Sequence, residues 1–264
     1  MITPFTANWH THTARCKHAT GDIDDYCRAA VDAGLTTLGF SDHTPLPDDH
    51  WLFVRMAPEE LPGYRQAIAD ARTRFSGLNL YTGLECEYLP ELGGYYREEL
   101  LGRQRMEFLV AAVHWFPYRG EWPSAHSRET ANDVKALTAY TRHIVDCMAS
   151  GLFLYTAHPD GFGMFYDCWD AETAAASRDI AQAARQYQVP LEINAYGLRK
   201  PHMMTADGER PVYPWEPFWD VVAACDAPAV INSDAHRPED IIGRVDEAQY
   251  LAERCGVRLV SLSV

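Results

Sequence analysis

The chain has 264 residues, 47% of them hydrophobic and 23% charged, which suits a globular protein with a sizeable core. Its 37 acidic against 23 basic residues give a net charge of −14, so most of the surface repels nucleic acid and a broad phosphate-backbone groove is not expected. The start has no basic patch followed by an apolar run, no apolar stretch is long enough to span a membrane, and the seven cysteines are never spaced CxxC. The expectation is a cytoplasmic protein with free thiols, no disulfide framework, no membrane partner and no thiolate zinc site.

Along the chain, short apolar or β-branched runs alternate with longer stretches of helical periodicity. Strands are expected at 6–12, 35–42, 79–86, 108–114, 152–157, 190–195, 228–233 and 257–262, and helices at 22–33, 58–76, 97–106, 129–150, 172–188, 215–225 and 238–255. In "TGDIDDYCRAAVDAG", Thr20 or Asp22 is placed to cap, Asp24 and Asp25 sit near the positive end of the helix dipole, and Gly34 stops the helix. Asp48 and Asp49 read as caps or solvated positions. The β-then-α order predicts a largely parallel sheet that closes into a barrel, in one domain without linkers or repeats.

The polar residues gather where those strands end. The first ends "HTH", the second "FSDH", the third "GLECE", the fourth "AAVH", the fifth "YTAH", the sixth "EINAYGLR" and the seventh "INSDAH". In a closed α/β barrel these ends share one face, and the site belongs there. Residues i and i+2 of a strand point the same way, so His10 pairs with His12, Asp234 with His236, and Glu85 with Glu87 as a rival ligand. One strand-end histidine is an ordinary core residue. Imidazoles and carboxylates repeated at successive strand ends are costly to bury without a cation. Seven histidines and two carboxylates are too many for one tetrahedral ion and suit two or three divalent transition metals, zinc, iron or manganese.

"HTHT", His18, "SDHTPLP", "GLECEY", "AAVHW", "AHPD", "LEINAYGLRKP" and "NSDAHRPEDI" together resemble the PHP (polymerase and histidinol phosphatase) family, in its histidinol-phosphatase branch, over nearly the whole chain. The resemblance implies an α/β fold, a distorted (βα)7 TIM-like barrel, with a trinuclear centre. It assigns His10, His12, Glu85 and Asp234 to a first ion, and His18, His43 and His236 to a second. Glu85, His114 and His158 go to a third, with Glu85 bridging. Arg199 matches the family's phosphate-binding arginine. One departure stands out: members of that branch often carry a basic residue soon after the histidine of "AHPD", and none occurs here between His158 and Arg178.

The chemistry implied is hydrolysis of a small phosphate monoester, histidinol phosphate first, by metal-activated hydroxide attack on phosphorus. Asp160 and a metal-held water are the candidates to protonate the leaving group. Another phosphomonoester or a nucleotide is the alternative substrate. An amidohydrolase also opens with HxH, but often bridges its metals with a mid-barrel lysine. The three lysines here, Lys17, Lys135 and Lys200, all lie elsewhere. A nuclease is opposed by the charge, and a non-enzymatic metal-binding regulator by the completeness of the ligands. Asp42 is expected to support the site from the other strand face. Trp51, Phe53, Trp115 and Phe116 are either an aromatic mouth or loop packing; His50, His126, His143 and His202 are expected at the surface or supporting the ligands from behind, and Lys200 and Arg237 at the surface or in helix caps. No oligomeric state is implied.

Overall fold

The structure, a computed structural model, describes residues 4–48, 50–205 and 207–264, so Asp49 lies outside the described residues. The chain forms two compact units. One runs to Val110 and regains Asn232–Val245 and Val264; the other holds Ala111–Ile231 and Asp246–Ser263.

In the first unit the order is β1 (Ala7–Asn8), α1 (Ile23–Asp32), β2 (Thr37–Phe40), α2 (Leu61–Arg74), β3 (Asn79–Glu87) and β4 (Phe108–Ala112). The strands lie side by side in that sequence, and β1–β2 and β2–β3 pair parallel. Asp22 caps α1, with Asp25 completing a capping box, and Gly34 takes a φ of 80° or less, 76°, just past the end. Every residue of β4 is buried. Gly83 in β3 is required by close approach: a Cβ there would meet the Phe108 ring at 2.4–2.5 Å. A π-type helical segment, Tyr95–Arg103, stands where a helix over 97–106 was expected.

Regular pairing of β1 stops at Asn8, although a strand was expected through residue 12. Beyond it the chain leans on the returning segment instead. Trp9 N donates to Asn232 Oδ1 at 2.8 Å, Asn8 Nδ2 to Ser233 Oγ at 2.7 Å, and His12 N to Ala235 O at 2.9 Å. Thr11 and Ala235 form an isolated parallel bridge. The backbone at both ligand segments is thereby fixed without an ordinary ladder.

The second unit continues with α3 (Val134–Ala149), β5 (Tyr155–Thr156), α4 (Ala171–Tyr187), β6 (Leu191–Asn194), β7 (Met203–Thr205), β8 (Gly208–Arg210), α5 (Glu216–Ala224), β9 (Pro228–Asn232), α6 (Val245–Cys255) and β10 (Arg258–Leu259). Here β5–β6 and β9–β10 pair parallel, and Ala157 N donates to Ala111 O at the end of β4. Helix α3 begins at Val134 rather than 129 because Asp133 caps it, accepting from Lys135 N. Helix α6 begins at Val245 rather than 238; Arg244, with φ of 60°, separates it from the short turn Pro238–Asp240. The antiparallel hairpin β7–β8 was not expected. No disulfide joins any of the seven cysteines.

Candidate metal centre

In the first unit, ligand-capable atoms converge from four places in the chain. His10 Nε2 lies 3.3 Å from Glu85 Oε1 and 3.6 Å from Asp234 Oδ1. His12 Nε2 lies 3.4 Å from Glu85 Oε2 and 3.3 Å from Asp234 Oδ1. His43 Nδ1 is 2.9 Å from Glu85 Oε2. All five side chains are buried. The HxH spacing does what a strand period requires, turning both imidazoles to one side, with their Nε2 atoms 3.1 Å apart.

A second pair shows why a cation fits. His18 Nδ1 is 2.7 Å from Cys16 O, and His236 Nδ1 is 3.2 Å from Asp234 O. A carbonyl only accepts, so both rings carry hydrogen at Nδ1. Each neutral ring then presents a lone pair at Nε2, and these two atoms face each other at 3.1 Å. Opposed lone pairs at that distance repel unless a positive charge lies between them. A neutral imidazole with Nδ1 fixed by a carbonyl is also the form that binds a metal. Ligand atoms of His12, His43 and His236 fall within 4.8 Å of one another, as do those of His10, His12 and Asp234, of Cys16, His18 and His236, and of His12, Cys16 and Asp42.

The electrostatics agree. Burial would raise the Asp234 carboxyl, but His10, His236 and His12 hold it well below the usual carboxylate range. Burial would lower the His12 imidazole, but hydrogen bonds to Asp234 and Cys16 and the charges of Glu85 and Asp234 raise it to about 10. The acids here demand a cation, and without a metal His12 carries it as a proton. Its folded pKa lies above its ordinary 6.5, so this contribution is complete below about pH 6.5 and is lost as pH rises through about 10. Burial would raise the Cys16 thiol, but hydrogen bonds to His12 and His18 pull it down to about 6, and its contribution grows over the same range, so the two oppose each other between about pH 7 and 9.

Asp42 takes the supporting place expected of it. Fully buried, it accepts from Thr13 N and Thr13 Oγ1, both at 2.9 Å, and so braces the "HTHT" turn from beneath. Burial pushes its carboxyl up to about 7. Glu85 meets His10, His12 and His43. Glu87 is buried too, and its charge acts on the buried guanidinium of Arg55 more strongly than that of Glu85 does. Of the aromatic residues in this unit, Phe53 is 69% exposed.

In the second unit His114 and His158 approach with ring centroids 4.8 Å apart. His158 has φ of 31° and, in the first unit, Asp234 has φ of 50°, conformations that non-glycine residues adopt at a cost. His158 N donates to Glu192 Oε2 at 3.1 Å, and Asn194 Nδ2 donates to the same oxygen at 2.8 Å. Sequence reasoning gave Glu192 and Asn194 no role, although their i, i+2 spacing on a buried strand was a signal. Arg199, half-buried, ends the short turn Gly197–Arg199, its guanidinium 5.1 Å from the centre of the Tyr196 ring. Gly197 makes that turn possible: a Cβ would strike Tyr213 O at 2.1 Å.

Asp160 is fully enclosed. Its Oδ2 accepts from Trp215 N at 2.6 Å and Trp219 Nε1 at 3.0 Å. His126, expected at the surface or in a supporting place, is exposed and stacks on His114 with the rings 5.8 Å apart at 12°. His143 is buried beside Trp122, and Phe116 lies in the core against Tyr140 and Phe165, which is packing and not a mouth.

The PHP domain family matches this chain over residues 8–196. A Deinococcus radiodurans protein named "Probable histidinol-phosphatase" is 32% identical over 264 aligned residues, 96% of this chain and 94% of its own. A Schizosaccharomyces pombe protein of the same name is 22% identical over 94% of this chain and 86% of its own. The histidinol phosphate phosphatase of Lactococcus lactis, solved with zinc, L-histidinol and phosphate, aligns with a TM-score of 0.75 at 15% identity, over 97% of this chain and 96% of that one. That likeness concerns the fold, which is of the expected class, a distorted TIM-like α/β barrel. Taken with the buried ligands, the length of the family match is decisive: the chain belongs to the PHP domain family.

Proposed function

We propose that this chain is a metal-dependent phosphoric monoester hydrolase acting on L-histidinol phosphate, and that residues 1–264 work as one domain. The observation that carries the reading is the convergence of His10, His12, Glu85 and Asp234, buried donors that suit a divalent transition metal. The names and ligands of the relatives supply the substrate class.

In this reading His10, His12, Glu85 and Asp234 would hold one ion and His18, His43 and His236 a second. His114 and His158, together with Glu85, would hold a third, as the family resemblance implies. The metals are zinc, iron or manganese. Bound there, such ions supply Lewis-acid charge and lower the pKa of water. The rest falls to the chain. The planar guanidinium of Arg199 grips two phosphate oxygens and offsets the charge that grows on them in the transition state. Asp160 is the proton donor to the leaving alkoxide: burial pushes its carboxyl up to about 6, so a minor fraction keeps its proton near neutral pH, and Oδ1 is left to carry it because Oδ2 accepts from two donors. Asp42 and Glu192 fix the backbone on which the ligands stand.

The partner is thus a small phosphorylated molecule, with neither nucleic acid nor membrane involved, and the setting is the cytoplasm. Among the described residues no helix is long and apolar enough to cross a membrane. A different small phosphomonoester is the competing substrate, favoured by the absence of lysine or arginine between His158 and Arg178. A panel of phosphomonoesters assayed with manganese- and zinc-loaded protein decides. Histidinol phosphate is expected to give the highest kcat/KM. Another monoester at the top corrects the substrate, and no phosphate release from fully loaded protein overturns the hydrolase.

A further inference from the structure

Cys16 has no place in the ligand sets set out above, yet its thiol lies among them. The side chain is fully buried, and its Sγ and the ligand atoms of His18 and His236 fall within 4.8 Å of one another. The chain holds it there through a short turn, Ala14–Cys16, closed by Cys16 N donating to Thr13 O at 3.1 Å. That turn stands on Thr13, which Asp42 grips by both its N–H and its hydroxyl. Lys17, with φ of 69°, then reverses the chain so that His18 faces back. The residue also acts through its backbone, because Cys16 O accepts from His18 Nδ1 and so sets which nitrogen of His18 is left for a cation. Independently of the thiol, the opposed Nε2 atoms of His18 and His236 at 3.1 Å mark a place that needs positive charge.

We propose that Cys16 is a metal ligand, its thiolate joining His18 and His236 on one ion. On binding, the S–H bond breaks, a sulfur–metal bond forms and the proton leaves to solvent; no oxidation state changes. The proposal rests on the metal-dependent reading above and adds a soft donor to a set otherwise built of nitrogen and oxygen. Sulfur favours zinc, iron(II) or cobalt over manganese or magnesium. This ion is therefore held by a different preference from the one between His10, His12, Glu85 and Asp234. The rival role is a thiol that merely supports His12, since Sγ also lies within 4.8 Å of ligand atoms of His12 and Asp42.

Cobalt(II) added to the chelator-treated full chain separates the two. A sulfur ligand gives a sulfur-to-cobalt charge-transfer band in the near ultraviolet, beside the visible bands of the bound ion. We expect the wild-type protein to show that band and Cys16→Ser to lose it while keeping the visible bands. We also expect the zinc-over-manganese preference of the variant to drop by about 10-fold or more. Wild-type protein that binds cobalt fully without the near-ultraviolet band overturns the proposal, whether or not the variant folds. So does a band that survives in Cys16→Ser. These readings are independent of turnover, so a failed phosphatase assay with an intact band removes the hydrolase and leaves the ligand.

Discussion

Replacing Glu85 by glutamine is expected to remove metal and turnover together. The substitution changes almost no volume, so its effect isolates charge. In β3 the Glu85 carboxylate lies 2.9 Å from His43 Nδ1, 3.3 Å from His10 Nε2 and 3.4 Å from His12 Nε2, at 2% exposure. A neutral amide there offers one oxygen instead of two and turns an NH2 group toward a neighbouring imidazole. Losing even an outer partner of a metal ligand costs about 10–100-fold in affinity, so losing a bridging ligand should exceed about 100-fold. We expect elemental analysis to find less than half the wild-type metal per chain, and kcat/KM for phosphate release to fall by about 10³ or more. Full metal content with normal turnover in the variant refutes the role of Glu85.

Arg199→Lys is the second large effect, of opposite signature. The guanidinium presents a rigid planar fork that matches two phosphate oxygens, whereas lysine offers a flexible point charge. Removal of one preorganised donor to developing charge typically costs about 10²–10³ in rate. Because Arg199 stands on the turn Gly197–Arg199 and holds no ion, metal content should not change. We expect kcat/KM to fall by about 10² with metal per chain unaltered, read by steady-state kinetics alongside elemental analysis. Loss of metal in this variant, or unchanged kinetics, contradicts the assignment.

The two variants test different things the chain made legible. Sequence period alone placed His10 beside His12, because a strand turns every second side chain the same way, and the distances agree. It did not separate Glu85 from Glu87, which share a face by the same rule. In the fold Glu85 lies within 3.4 Å of three histidines, and the buried Arg55, from a segment far off in sequence, feels the charge of Glu87 more than that of Glu85. Cys16 was read as an inert thiol because a lone cysteine carries no spacing signal; only the folded turn shows its neighbours. The sequence left His126 between a surface and a supporting place, since stacking on His114 depends on a loop path that no periodicity encodes. The hairpin β7–β8 was not legible: Gly208 pairs with Thr205 at the start of β8, so Asp207–Gly208 does not stand as the turn pair that marks a hairpin. The helices were found well because amphipathic period and caps are local, while the ends of α3 and α6 moved to the caps and breaks that local sequence supplies.

The first unit is built from both ends of its chain, and this bears on when metal is captured. Asn8 and Ser233, which bond each other beside the ligands, are 225 residues apart. At about 5–20 residues per second, the early histidines leave the ribosome roughly 10–45 s before Asp234 and His236 exist. Until then His10 and His12 lack the carboxylate that completes their set and can only chelate weakly, exchanging with whatever ion is abundant. Choice of metal thus belongs to the finished polypeptide and not to its nascent form, so cellular supply at the close of translation, not at its start, governs which ion the protein keeps.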